Sequence, residues 1–157
     1  MELDALDRRL LDLLQTDASL SNQALAEAAH ASPATTLRRV RRLLDSGVIE
    51  RQVAIVSAQQ VAGLTALVEV SLDAQGAEHL AAFEQRAVAE PQVQQCYRVS
   101  PGPDFMLVVW APDMAGYHAL VQRLFTQDAN VRNVKAFFSV HRAKFEPRVQ
   151  LPAAPAA

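Results

Sequence analysis

The sequence predicts an α+β chain, with a small helical head followed by a larger α/β sandwich. Three observations carry this expectation. Residues 20–49 hold two successive helix start-and-stop signals, with four arginines in the second helix. After Gly47 the pattern changes from helical spacing to β-branched, extended sequence. From residue 65 onward, strand-like and helix-like segments follow in the order βαββαβ.

In chain order, residues 3–15 come first. Leu3, Leu6, Leu10, Leu13 and Leu14 repeat at helical spacing, and Asp4 and Asp7 sit at the front, where the helix dipole favours them. This amphipathic helix can cover a helix pair that follows a connection over residues 16–19. Ser21 is a good N-cap, flanked by Leu20 and Leu25 as a hydrophobic staple. Leu25, Ala26 and Ala29 should face inward. Ser32 then caps a second helix over residues 33–46, with Pro33 at its first position, where a missing N–H costs nothing. Gly47 can take the left-handed conformation that ends it. Leu37, Val40, Leu43 and Leu44 form the expected buried stripe, and Arg38, Arg39, Arg41 and Arg42 fall on the other faces.

That second helix suits the DNA major groove. Its first turn, with Ala34, Thr35 and Thr36, is small and polar enough to reach base edges, and its arginines can grip phosphates or guanine. Arginine runs alone commonly make a solvated basic face. Two capped helices joined by a tight turn make the case for a helix-turn-helix, winged-helix-like head.

Composition sets the bounds. The chain has 157 residues, 50% of them hydrophobic, and a formal net charge of −2. Nucleic-acid binding therefore needs a local patch. Residues 33–51 supply one, with five arginines against Asp45 and Glu50. The acidic remainder limits non-specific adhesion to DNA. One cysteine leaves no internal disulfide and no multi-cysteine zinc site. No apolar run approaches membrane-spanning length and no basic-then-apolar leader opens the chain, so a cytoplasmic protein with no membrane partner is expected.

Residues 48–56 look extended and fit a short wing, a linker strand or both. Gly63 is the expected turn. In the second half, Ala66, Val68, Val70 and Leu72 alternate with Thr65, Leu67, Glu69 and Ser71, as a strand with one buried face requires. Residues 77–89 are helical, with Leu80, Phe83, Ala87 and Val88 inward, and Pro91 stops them. Residues 93–99 are a strand and 100–104 a turn. Residues 105–111 are a nearly continuous apolar run, as a central strand would be. Residues 114–125 are a helix with Tyr117, Leu120, Val121 and Leu124 on one face, and 131–141 are the last strand. The order points to a ferredoxin-like βαββαβ sandwich. The expected domains are 1–50 for the head, 51–63 for a linker strand, 64–143 for the sandwich and 144–157 for a tail, mobile after Pro152.

In such a sandwich both helices cover one sheet face. The other carries side chains such as Leu67, Phe138 or Val140, an apolar patch too large to leave in water. A second copy of the chain is the simplest cover. The resulting homodimer would set two reading heads side by side for a near-palindromic site in double-stranded DNA.

The chain resembles the Lrp/AsnC, or feast/famine, transcription regulators. The matching residues open with Leu3-Asp4-x-x-Asp7-Arg8-x-Leu10-Leu11 and continue through Leu20-Ser21-Asn22-x-x-Leu25-Ala26, Ser32-Pro33, Arg39-Val40-x-Arg42-Leu43 and Gly47-Val48-Ile49. Val53-Ala54-Ile55-Val56, Gln95-Cys96-Tyr97-x-Val99, Asp104-Phe105-x-Leu107 and Leu151-Pro152 follow. The resemblance implies a DNA-binding head and a ligand-sensing, dimerising sandwich domain. It implies higher oligomers such as octamers, and an amino acid or related small molecule bound between subunits. It carries DNA contacts onto Ser32, Ala34, Thr35, Thr36, Arg38, Arg39 and Arg42. Arg39 has a competing reading, as a brace to an acidic neighbour. Effector contacts carry over to Ser100, Gly102, Asp104 and Ala136. Two departures bear on these. Pro101 stands where the family has a Gly, with Gly102 displaced by one, and Ala136 stands where it often has a Thr. Altered or lost effector sensing is therefore expected.

The remaining candidates are weaker. Cys96 reads as a buried small side chain, and His30 as an exposed turn residue. His79, His118 and His141 lack metal-ligand spacing, and no cofactor is expected. Trp110 and Phe105 belong to the core or a dimer seam. Two alternatives stand beside the regulator: an enzyme like the sirohaem decarboxylases, which share this layout, and a metabolite-binding module whose head does not read DNA. A haem-type absorption band on adding the tetrapyrrole would favour the first.

Overall fold

The computed structural model describes residues 2–58 and 60–151. The expected tail after Pro152 lies outside them. The described residues form two compact units, one of residues 2–55 with 144–151 and one within residues 56–143.

The first unit is three helices: α1 (Ala5–Thr16), α2 (Asn22–Ala28) and α3 (Pro33–Asp45). Each begins at a side-chain cap. Asp4 caps α1 in a reciprocal box with Asp7, Ser21 accepts from the Ala24 N–H, and Ser32 accepts from the Thr35 N–H. The turn between α2 and α3 puts His30 at φ +54°, while the Ala31 N–H reaches back to the Ala26 carbonyl. Gly47, at φ +74°, closes α3 as expected. Leu10, Leu11, Leu25, Ala29 and Leu43 form the core, with Leu20, Val40 and Ile49 packed on it.

The stripe expected on α3 is rotated. Leu43 is buried and Val40 half-buried, but Leu37 is 51% exposed and Leu44 37% exposed. Thr36, one turn ahead of Val40, takes the inward slot instead. Residues 48–56 form no strand within the chain and are mostly exposed, so no wing folds onto this head. Residues 144–151 return to it. The Gln15 side-chain amide donates to the Val149 carbonyl and accepts from the Val149 N–H, and Leu151 packs on the helical core.

The second unit is β1 (Leu64–Leu72), α4 (Ala77–Ala89), β2 (Val93–Arg98), β3 (Phe105–Ala111), α5 (Met114–Val121) and β4 (Val131–Phe138), with a π-helical turn Gln122–Thr126 ending α5. The strands lie antiparallel in the order β2-β3-β1-β4, the ferredoxin-like arrangement. Ala66, Val68, Val70 and Leu72 are fully buried, as their alternation requires. Phe105, Leu107, Val109 and Ala111 continue that layer on β3, and Phe83, Ala87, Tyr117, Leu120, Leu124 and Phe125 cover it. Three expected positions differ. Val88 is exposed, because the inward line on α4 runs through Phe83 and Ala87, four residues apart. Phe138 faces the helices, its ring edge-on to Tyr117, and Phe137 takes the open face opposite Leu67. Val140 lies beyond the end of β4 and is fully exposed.

Candidate nucleic-acid interface

The four arginines of α3 divide into two pairs. Arg39 donates through Nη1 to both Asp4 and Asp7, and Arg42 donates through Nη2 to Asp7 at 2.5 Å. Asp7 is fully buried. These residues therefore brace α3 against the start of α1. The brace follows from spacing. Arg39 and Arg42 are three apart on one face, and so are the two aspartates they meet. The Asp4 carboxyl is held below the usual aspartate range, first by its bond from the Asp7 N–H and then by Arg39. Arg39 is in turn raised, chiefly by Asp4.

Arg38 and Arg41 form the other pair. Both are exposed and, among the described residues, neither has an acidic partner. They share the outward face of α3 with Ala34 and Leu37, around an open cleft of about 740 Å³ that Arg42, Asp45 and Ser46 also line. Arg39 and Arg42 are thus paired at home, Arg42 while still 44% exposed at the cleft, and Arg38 and Arg41 are presented outward.

The other residues expected at DNA fall as follows. Ser32 and Ala34 are exposed at the helix start, and the Ser32 hydroxyl donates to Thr35 Oγ1 at 2.9 Å. Thr35 is half-buried. Thr36 is fully buried, and its hydroxyl has no hydrogen-bond partner among the described residues, so it does not lie on the outer surface. Arg39 and Arg42 are directed at the aspartates. Arg41 belongs to the arginine run read from the sequence but not to the contacts that the resemblance carries over. The signal for it was the period, since Arg38 and Arg41 recur one turn apart on the face of Ala34.

The residues expected at an effector do not share one surface. Ser100 and Gly102 are exposed on the hairpin between β2 and β3, with Gly102 at φ +124°. Asp104 is tied inward: its Oδ2 accepts from the Leu72 N–H at 2.7 Å, and its own N–H donates to the Val70 carbonyl at 2.9 Å. Ala136 sits opposite Val68 and packs against the core beneath the helices. Cys96 also packs there, and burial raises its thiol pKa.

The sheet face away from the helices carries Leu67, Tyr97 and Phe137, each at least 43% exposed, with Val108 and Trp110 half-buried among them. The Trp110 indole lies over Gly63 so closely that an added Cβ would stand 2.6 Å from it. No helix among the described residues is long and apolar enough to cross a membrane, and these residues hold no cluster of three or more metal-ligating side chains.

Two family models match. Residues 3–50 match a winged helix-turn-helix DNA-binding domain, and residues 65–149 match the Lrp/AsnC ligand-binding domain. The chain is 38% identical to an uncharacterised HTH-type transcriptional regulator of Haemophilus influenzae, over 95% of this chain and 89% of that one. It is 36% identical to the Bkd operon transcriptional regulator of Pseudomonas aeruginosa, over 88% and 92% of the two chains. Among solved structures, a transcriptional regulator of Neisseria meningitidis in complex with L-Met superposes with a TM-score of 0.83 at 25% identity, covering 95% of this chain and 97% of that one.

Proposed function

The chain belongs to the Lrp/AsnC family of transcription regulators, and from that premise we propose that α3 is its reading helix for double-stranded DNA, with Arg38 and Arg41 as the phosphate or guanine grips. The observation that carries this is the division of the arginines. The outward pair has no acidic partner among the described residues, and it flanks the small side chain of Ala34, which lets the helix approach base edges closely. Ser32 and Thr35 complete the contact at the helix start. Arg39 and Arg42 hold α3 at its angle rather than touching DNA. Residues 1–50 then act as the DNA-binding domain, 51–63 as a linker and 64–143 as the sensing and dimerising domain.

The open sheet face supports a homodimer, because Leu67, Tyr97 and Phe137 would otherwise remain an apolar patch in water. Octamers or other higher assemblies would be built from that dimer. The effector is an amino acid or related small molecule, as the L-Met complex of the Neisseria protein suggests. Its geometry is altered here by Pro101 and Ala136. The work is done in the cytoplasm without a catalytic step, in keeping with relatives named as transcription regulators.

The deciding experiment is enrichment of duplexes from a random pool by the full chain. A recovered near-palindrome whose affinity falls steeply with salt is expected; recovery of no sequence above background would overturn the reading. Phe137→Glu should lower the sedimenting mass to that of one chain. Calorimetry with the common amino acids tests the effector.

A further inference from the structure

We propose that Leu37 is a base-reading side chain, one that selects thymine through its 5-methyl group. This rests on the DNA-binding reading and extends it to a residue that packing logic assigns to the core.

A leucine in the middle of a small head would ordinarily be spent on burial. Leu10 and Leu43 are fully buried, and Leu25 nearly so. Leu37 is half exposed instead, and the inward slot beside it is filled by Thr36, a polar residue whose hydroxyl has no partner among the described residues. The local sequence therefore places the better core side chain outside and the poorer one inside. Leu37 lies one turn beyond Ala34 on the outward face and lines the same cleft as Arg38 and Arg41.

The chemistry of that cleft selects its occupant. Two guanidinium groups without an acidic partner among the described residues, with the partly exposed Arg42 beside them, flank one large aliphatic side chain. An apolar protein segment would have to desolvate both cations to reach one leucine. Duplex DNA meets both demands together, offering phosphates to the arginines and, in the major groove, the thymine methyl to the leucine. Thymine alone presents a methyl there, so an apolar reader at this position discriminates rather than merely adheres. Leu37 also lies in the first half of α3, the part of a recognition helix that meets base edges.

The test uses a duplex enriched by the full chain, resynthesised with deoxyuridine replacing one thymidine at a time. Uracil keeps the pairing and removes only the methyl. At one position in each half-site, affinity should fall about fourfold, the worth of one buried methyl group. Leu37→Ala should bind the thymine and uracil duplexes equally while keeping its salt dependence. Leu37→Asn should move the preferred base there towards adenine, whose edge accepts and donates to an amide. Tight binding with uracil tolerated at every position, or a Leu37→Ala protein that still loses affinity on uracil substitution, would overturn the role of Leu37 and leave the DNA-binding reading intact. Enrichment of no duplex would overturn both.

Discussion

Replacing Arg39 by alanine separates a brace from a grip. In the folded head its guanidinium bonds Asp4, which is half exposed, and Asp7, which is fully buried. Removing it leaves Asp7 with Arg42 and the Asp4 N–H, so the buried carboxylate is not stranded. The full cost of breaking a buried ion pair therefore does not apply. Solvent screens the bond between the partly exposed Arg39 and Asp4, so most of the loss is the bond to buried Asp7. The thermal midpoint of the helical unit, which has the size of a small domain, should therefore fall by about 4–8 °C. The assay is thermal unfolding followed by far-ultraviolet circular dichroism, paired with DNA affinity measured across a salt series. Arg38→Ala and Arg41→Ala should do the opposite. Each should leave the midpoint in place and reduce the salt slope by about 0.9 for each subunit bound, about 1.8 for a dimer. An Arg39→Ala protein with an unchanged midpoint and a reduced slope would refute the division of the arginines.

Three other perturbations test the packing. Thr36→Val removes a buried hydroxyl that bonds nothing among the described residues, so it should stabilise the head by about 1 kcal/mol and leave DNA affinity unchanged; a loss of affinity would return Thr36 to the interface. Gly63→Ala drives a methyl into the Trp110 ring, and should destabilise the sheet unit by about 1–3 kcal/mol and shift the emission of the chain's single tryptophan. Asp4→Ala should cost about 1 kcal/mol at neutral pH through the lost cap. The Asp4 pKa is depressed in the folded chain, so its contribution is present above the ordinary value of 3.8 and is lost as pH falls through the lower folded value. Denaturant titrations of the two proteins should converge below that point. A gap that persists in strong acid would assign the loss to something other than the carboxylate.

What could be read from the sequence depended on whether a local rule had competitors. The alternation of Ala66, Val68, Val70 and Leu72 admits one buried face, and all four are buried. The caps at Ser21 and Ser32 and the stop at Gly47 likewise have no rival nearby. The helical stripe on α3 was different. Leu37 and Thr36 are neighbours, and hydrophobicity alone chooses the leucine. The orientation of α3 is instead set by the Arg39 and Arg42 bonds to Asp4 and Asp7, a long-range constraint that periodicity does not contain. The pair Phe137 and Phe138 shows the same limit. Adjacent strand residues must point to opposite faces, but the register that pairs Phe137 with Leu67 decides which goes where. At the proposed interface, the arginine run as a whole is legible in the sequence, but which of its members face outward is not, because that depends on the aspartates of α1.

The return of residues 148–151 to α1 makes the helical head a discontinuous fold. Gln15 grips a backbone unit 134 residues away, and Leu151 caps a core begun by Leu3 and Leu6. A ribosome therefore extrudes the three helices well before the piece that seals them, and the head reaches its final stability only after Leu151 has emerged. Cutting the gene after the third helix would yield a DNA-binding fragment with an unsealed seam, and a fusion partner placed right after Leu151 would be held against the head rather than trailing from the sensing half.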